Sequence, residues 1–465
     1  MVMNEFLGYH SEWNLGSPGG FDYQRINQLI GKAVWERLNR LRPIGLELDF
    51  DHPLLYPVNG FTGMLLQAHR ARAAGAKSMI AVVAEEETLS TVTENINLAR
   101  RINDREGVPC ALMSPQELEL KNDRVCYRGN PVAVAFVDFN TDVMLKLHRE
   151  HGLAPLLQAV RENRVINPRG TEPLNAKSAF EVLTGRLKDR FSPDIVRRTP
   201  WTRQFYPRRT DGPNGEKIGD LIEWTRKNWD VLVLKPERGY SGKGVRVGRV
   251  HPDGDKAIEL ALKAGNYIVQ EKIPLNLWAE DTPWIDSDRE EVIIQRVQTD
   301  FRSLFGPGQV FGFLGRFGGV PTNVGSGGGV QPLVVLRSEL SVREAARRIN
   351  SALTNMKYSD VADVIETQKK MALDHNFTYI LGPIKIALRP RIITEGQLAA
   401  LRIYCAEVWK ACLTLEKMWE EGALDDLINL EEEELEIARS QPWKGSAAIF
   451  ASDGLFSFGS HPEAE

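Results

Sequence analysis

Residues 231–248 read VLVLKPERGYSGKGVRVG. An apolar run delivers Lys235, a glycine-rich turn spans Gly239 to Gly244, and a second apolar run leaves through Val245 and Val247. Strand, glycine-rich turn, strand is a β-hairpin. It excludes the phosphate loop in which a strand runs through G-x-x-x-x-G-K-[ST] into a helix. A glycine-rich hairpin can still fold over a polyphosphate, because backbone N–H groups approach closely where no side chain intervenes. Lys235 would add a point charge there. A tight hairpin with a surface lysine is the plain alternative, so the flanking segments have to decide.

They point the same way. AGNYIVQEKIPL (264–275) is an apolar strand that turns polar at Gln270, Glu271 and Lys272, as the wall of an adenine slot would. QTDFRSLFGPGQVFGFLGRFGG (298–319) is a hairpin with Asp300 and Arg302 on one strand and Arg316 on its partner. PTNVGSGGGVQP (321–332) supplies a second glycine-rich loop, with Asn323 before it. Two arginines and two glycine-rich loops around one sheet predict an anionic ligand.

Upstream, SMIAVVAE (78–85), TENINLARRINDREG (93–107), PCALM (109–113) and PVAVAFVDFN (131–140) alternate strand and helix, the pattern of a parallel, Rossmann-like sheet. No G-x-G-x-x-G follows these strands, which argues for a substrate-side domain rather than a dinucleotide site. Residues 21–75 read as mainly helical, with apolar spacing through Ile26, Leu29, Ile30, Val34 and Leu38. PVNGFTG (57–63) reads as a loop break before a second helix over Met64–Ala74. Residues 340–440 are largely helical and end in NLEEEELEIARS, expected to be a solvated face. SAAIFASDGLFSFGSHPEAE (446–465) reads as a strand, a turn at Asp453–Gly454 and a polar end. His10 is expected to be a surface or hydrogen-bonded residue rather than a catalytic one.

The 465 residues suggest two to three domains at about 150 residues each. Lys and Arg number 58 against 62 Asp and Glu, so no overall basic field draws the chain to nucleic acid. No apolar run approaches the roughly 20 residues that span a bilayer, and no basic and apolar leader opens the chain. The four cysteines form no C-x-x-C pair, as in a reduced, cytoplasmic protein, and Cys405 and Cys412 are expected to share a buried helix face.

The ordered segments EWNLGSPGG (12–20), NPRGTEPLNAKSAF (167–180), PWTR (200–203), VLKPERGYSGKGVRVG (233–248), YIVQEKI (267–273), DFR (300–302) and GRFGGVPTNVGSGGG (315–329) together resemble an ATP-grasp ligase. The resemblance is to the circularly permuted group that includes glutathionylspermidine-synthase-like and glutathione-synthetase-like proteins. It implies an α/β and α+β chain with a permuted ATP-grasp fold, a Rossmann-like pre-ATP-grasp domain and a helical C-terminal region. The implied layout is 1–75 for the E-x-N strand and core helices, 76–165 for the substrate domain, 166–336 for the ATP-binding domain with its glycine-rich lid, and 337–465 for the helical region and a closing strand.

The resemblance also implies roles. Lys177 and Lys235 bind ATP, with Gly239, Ser241, Gly242 and Gly244 in the loop over the triphosphate and Gln270, Glu271 and Ile273 in the adenine hinge. Arg302, Arg316 and Asn323 face phosphate or substrate carboxylate. Glu12 and Asn14 hold Mg²⁺, with Mn²⁺ as second choice. The family's third metal ligand comes from a preceding strand that this chain lacks room for, so the expectation is that the closing strand brings Asp453 to Glu12 and Asn14. Arg238 and Lys243 depart from the family's plain glycine loop, and no amidase region is present. The implied reaction joins a small-molecule or peptide carboxylate to an amine through an acyl phosphate. The rivals are a kinase acting on a non-carboxylate acceptor and a non-catalytic nucleotide-binding protein. Substrate contacts are expected from the βαβ segment and the 50–65 loop, and the 340–440 region is a core element or a homo-oligomer surface.

Overall fold

The structure is a computed structural model and describes residues 7–73, 75, 77–239, 242–273, 279–319, 322, 327–379, 382–428 and 430–458. The fold is mixed α/β, built on several sheets. Strand β1 (Leu7–Asn14) leads into helix α1 (Phe21–Leu41), which buries Ile26, Ile30, Val34 and Leu38 at four-residue spacing along one face. Leu29 lies off that face and is exposed.

Helix α2 (Pro57–Arg72) begins inside PVNGFTG, so the expected loop break is helical. Pro57 stands in the first turn, where its missing N–H costs nothing. Gly60 earns its place by packing, since a Cβ there would stand 2.5 Å from Phe311.

The alternating segment folds as read. Strand β2 (Met79–Val83), helix α3 (Thr93–Glu106), β3 (Cys110–Met113) and β4 (Asn130–Val137) form a sheet in which β2 pairs in parallel with both β3 and β4. Helix α4 (Thr141–His151) follows β4. A separate antiparallel sheet comprises β5 (Thr202–Gln204), β6 (Leu232–Pro236), β7 (Arg246–Val247) and β8 (Tyr267–Glu271), ordered β7-β6-β8-β5. The glycine-rich hairpin is thus the β6–β7 connection.

The largest sheet holds β9 (Ala279–Asp286), β10 (Glu291–Gly306), β11 (Gln309–Gly318) and β12 (Gly329–Gln331). Asp300 and Arg302 lie on β10 and Arg316 on β11, as the hairpin reading expects, and the register sets Asp300 opposite Arg316. Strand β13 (Leu333–Leu336) precedes helices α5 (Val342–Thr354) and α6 (Tyr358–Asp374). The helical stretch is interrupted by β14 (Lys385–Ile386), parallel to β12, and β15 (Arg391–Ile393), parallel to β13. Helix α7 (Glu395–Glu420) buries Cys405 and Cys412, and α8 (Glu432–Ser440) follows.

The last strand, β16 (Phe450–Ser457), inserts between β1 and β10, antiparallel to both. It runs straight through Asp453–Gly454, so the expected turn is absent. Glycine is needed there for a different reason: a Cβ on Gly454 would lie 2.5 Å from the carbonyl of Tyr9 on the partner strand. Among the described residues no helix is long and apolar enough to cross a membrane.

Candidate functional site

The β1–β16 pair sets Glu12 opposite Asp453 and Asn14 opposite Ala451, with a register shift between His10 and Glu12. Strict alternation would put His10, Glu12 and Asn14 on one face. The shift makes Ser11 an extra residue, and such a bulge re-aims the side chains beyond it. His10 and Trp13 therefore pack together inside, ring centroids 5.1 Å apart, while Glu12 and Asn14 line a cavity of about 680 Å³ with Asp453. His10 is wholly buried, its ring nitrogens 2.7 Å from Thr199 Oγ1 and 3.1 Å from the Tyr404 hydroxyl. Burial, then the nearby Arg198 charge, lowers its pKa to about 3, so it is neutral and structural.

Two lysines enter the cavity beside Glu12. Lys235 donates from Nζ to the Ser11 carbonyl at 3.2 Å and to Gln270 Oε1 at 2.7 Å. Burial pulls its pKa down to about 8 against the raising effect of Glu12. Gln270 Nε2 in turn donates to Thr202 Oγ1 at 2.9 Å. The Gln270 side chain, expected at an adenine hinge, is spent on fixing Lys235. Lys177 Nζ lies 3.5 Å from Glu12 Oε2 and donates to the Gly239 carbonyl at 3.1 Å. Gly239, Gly242, Glu271 and Ile273 line the cavity. Gly239 and Gly244 have φ of 138° and 77°, where glycine alone is unstrained. Gly244 does not line the cavity; it closes the hairpin root, where a Cβ would stand 2.8 Å from the Tyr267 hydroxyl and from Pro236. Ser241 and Asn323 lie outside the described residues.

The two arginines and Asp453 satisfy one another. Arg302 donates bidentately to Asp453, Nε to Oδ1 and Nη2 to Oδ2 at 2.6 Å each, and from Nη1 to the Gly19 carbonyl at 2.9 Å. Arg316 donates to Asp453 Oδ2 at 3.1 Å and to Asp300 Oδ1 at 2.7 Å, and Thr322 donates to Asp300. Burial pushes the Asp453 pKa up, but Arg302 and Arg316 outweigh it and hold it near 2. Asp453 does meet Glu12, yet as an anchor for guanidinium groups. Glu12 is the carboxylate that faces the open cavity. Among the described residues no three His, Cys, Asp or Glu side chains cluster as a metal cage.

Sequence reasoning missed two acidic residues that line the same cavity as the lysines. Glu85 and Asp138 stand just past the C-terminal ends of the parallel strands β2 and β4, where open α/β sheets present their ligand crevice. Asp138 accepts from Ser17 Oγ at 2.8 Å and Asn95 Nδ2 at 2.5 Å; burial, then Glu85, raises its pKa. Neither carboxylate is paired with a cation among the described residues. The signal was present, since each apolar strand run ends in an acid, but only the parallel pairing shows that the two ends coincide. No residue of the 50–65 segment lines the cavity. Glu94 was missed as well: its buried carboxylate accepts the N–H groups of Gly20, Asp22 and Tyr23, fixing the turn that offers Gly19 to Arg302.

The acidic run at 431–434 is not merely solvated. Glu434 is 5 % exposed and accepts from Arg238 Nη1 at 2.7 Å, while Glu433 accepts from Arg149 at 2.6 Å.

No protein-family model matches the chain, and no curated protein matches it in sequence. Among solved structures, D-cycloserine synthetase is 13 % identical, covers 61 % of this chain and 82 % of its own length, and superposes with a TM-score of 0.29. A macrocyclase bound with its precursor peptide, from Microcystis aeruginosa, is 9 % identical over 62 % of this chain and 84 % of its own, TM-score 0.29. A provisionally assigned gamma-glutamylcysteine synthetase from Methylobacillus flagellatus is 12 % identical over 78 % of this chain and 99 % of its own, TM-score 0.29. All three are synthetases or a cyclase by name, but superpositions this loose carry no assignment.

Proposed function

We propose that the chain is an ATP-dependent ligase of permuted ATP-grasp type that joins a carboxylate to an amine through an acyl phosphate, releasing ADP and phosphate. The observation that carries this reading is that one cavity is lined by Lys177 and Lys235, by Arg302 and Arg316, and by Glu85 and Asp138. Polyphosphate, carboxylate and ammonium each find the opposite charge there.

Glu12 and Asn14 are hard oxygen donors of the kind that would hold Mg²⁺ or Mn²⁺, while Asp453 stays with the arginines; a bound ion would neutralise charge on the transferred phosphoryl group. Lys177 and Lys235 hold the phosphates from one side, with the backbone of the glycine-rich hairpin above them. Arg302 and Arg316, locked by Asp453 and Asp300, need no reorganisation to receive a carboxylate. Glu85 and Asp138 orient the ammonium end of the acceptor. The work of the chain is positioning and charge complementarity.

ADP release screened against amino acids, short peptides and polyamines tests this reading. ADP formed with no amine requirement, together with a stable phosphorylated product, would instead make it a kinase; no ADP with any acceptor would leave a binding protein. The Glu85 and Asp138 carboxylates favour an amine over a hydroxyl acceptor. Glu85→Gln is accordingly expected to raise the KM for the amine about tenfold, the effect of losing roughly 1.4 kcal/mol of charge attraction, with the KM for ATP within about twofold of wild type.

The depressed pKa of Lys235 gives a pH signature. The group is charged below about 8 and loses its proton as pH rises through that value. ATP affinity is therefore expected to fall above pH 8, and binding at pH 8.5 to take up protons, because phosphate favours the charged lysine. Calorimetry in buffers of different ionisation enthalpy reads that uptake directly; a flat affinity between pH 7 and 9.5 would remove Lys235 from the phosphate site.

A further inference from the structure

We propose that Arg238 is an additional phosphate-binding residue of this cavity, aimed by Glu434 on α8. The proposal rests on the nucleotide reading above. Arg238 sits at the root of the glycine-rich hairpin, and the backbone on either side of it is pinned. The carbonyl of Glu237 accepts the Lys177 backbone N–H at 2.9 Å, and the carbonyl of Gly239 accepts Lys177 Nζ at 3.1 Å. Glu237 itself turns away and accepts from the Ser178 hydroxyl. A side chain leaving between two such fixed points has little choice of direction.

Glu434 fixes the rest. Its carboxylate is nearly inaccessible and takes Arg238 Nη1 at 2.7 Å, and it also accepts the backbone N–H of Glu431 in the capping box that starts α8. The Arg238 side chain keeps 37 % of its accessible surface and lines the cavity with Lys177, Lys235 and Lys243. A guanidinium carries five N–H donors in a rigid fork. With one of them tied to a buried carboxylate, the others form a preoriented fork in the cavity. Planar, bidentate recognition of phosphate is what such a fork does and what a lysine cannot do. Its place on the glycine-rich hairpin beside Lys177 favours the polyphosphate over the substrate carboxylate. Glu434 is then a positioning residue.

The test is binding of ATP, ADP and AMP to the full-length protein by calorimetry, with melting temperatures of every variant measured in parallel. Arg238→Ala is expected to weaken ATP and ADP by about 10–30-fold, the lower part of the range for a lost charge-assisted hydrogen bond, with AMP changed less than twofold. Glu434→Gln is expected to weaken ATP about 3–10-fold. The deciding variant is the charge swap R238E/E434R, which rebuilds the ion pair in reverse. It is expected to recover the melting temperature lost in Arg238→Ala but not the ATP affinity. Should the swap restore ATP affinity, the pair is only a brace and the proposal falls. Equal losses for AMP and ATP, or no loss in Arg238→Ala, would overturn it too. If Arg238→Ala fails to fold, Arg238→Lys serves, with ATP weakened and AMP unchanged as the supporting outcome. A wild-type protein that binds no ATP defeats the nucleotide reading itself, which separates that failure from this one.

Discussion

Lys235→Ala is expected to lower the rate of ADP release by about 10²–10³-fold, the cost of removing one preorganised charge from a reaction centre. The effect should appear in kcat as well as in ATP affinity, because Lys235 is held in place before any ligand arrives. Ser11 fixes it from β1 and Gln270 from β8, and Gln270 is itself fixed by Thr202. Lys235→Arg should recover little. The planar fork of arginine cannot take up the geometry of a point donor between a carbonyl and an amide oxygen. The melting temperature is expected to hold or rise slightly, since burying this charge already opposes its ionised form. A fully active Lys235→Ala protein would end the assignment of this cavity to a nucleotide.

The largest loss of stability is expected in Glu280→Ala. Glu280 is 2 % exposed and faces Arg389 Nη2 at 2.7 Å and Arg391 Nη1 at 2.9 Å, on side chains as deeply buried as its own. These guanidinium groups are already short of acceptors: Nε and Nη1 of Arg389 and Nε of Arg391 are buried without a hydrogen-bond partner. Removing the carboxylate leaves two uncompensated cations in the interior. Breaking a buried pair from one side costs about 3–5 kcal/mol. Denaturant titration reads this as a lower midpoint at unchanged slope. Replacing all three residues with apolar ones of similar volume should restore most of the loss, because the cost lies in the stranded charge rather than in the missing contact. A Glu280→Ala protein with a wild-type midpoint would show that the two arginines find other acceptors.

What was legible in the sequence follows from how local each signal is. The hairpin around Lys235, the hairpin carrying Asp300 and Arg302 against Arg316, and the parallel β2–β4 unit are carried by runs of adjacent residues, and all three formed as read. The meeting of Glu12 and Asp453 was inferred by joining two distant segments, and the strand register bears it out. The misreadings have one physical source, a partner that only the folded chain supplies. Gly60 reads as a helix breaker until Phe311 is pressed against it. Gly454 reads as a turn until the Tyr9 carbonyl is found where a Cβ would go. Glu434 reads as one more surface charge until Arg238 arrives from almost two hundred residues away. The bulge at Ser11 has no local marker at all, yet it decides which of His10 and Glu12 faces the cavity.

The β1–β16 pairing also fixes when in its biosynthesis a molecule completes this cavity. Ser11 and Asp453 bond across 442 positions of chain. At ribosomal speeds of about 5–20 residues per second, Glu12 emerges tens of seconds before its partner strand exists. Until then one edge of β1 lacks its neighbour, and Arg302 and Arg316 lack the carboxylate that holds them. A nascent or prematurely terminated chain can build the parallel sheet and the glycine-rich hairpin, but it cannot organise these two arginines. In this architecture the arginine cluster anchored on Asp453 forms only after the segment carrying β16 has been made.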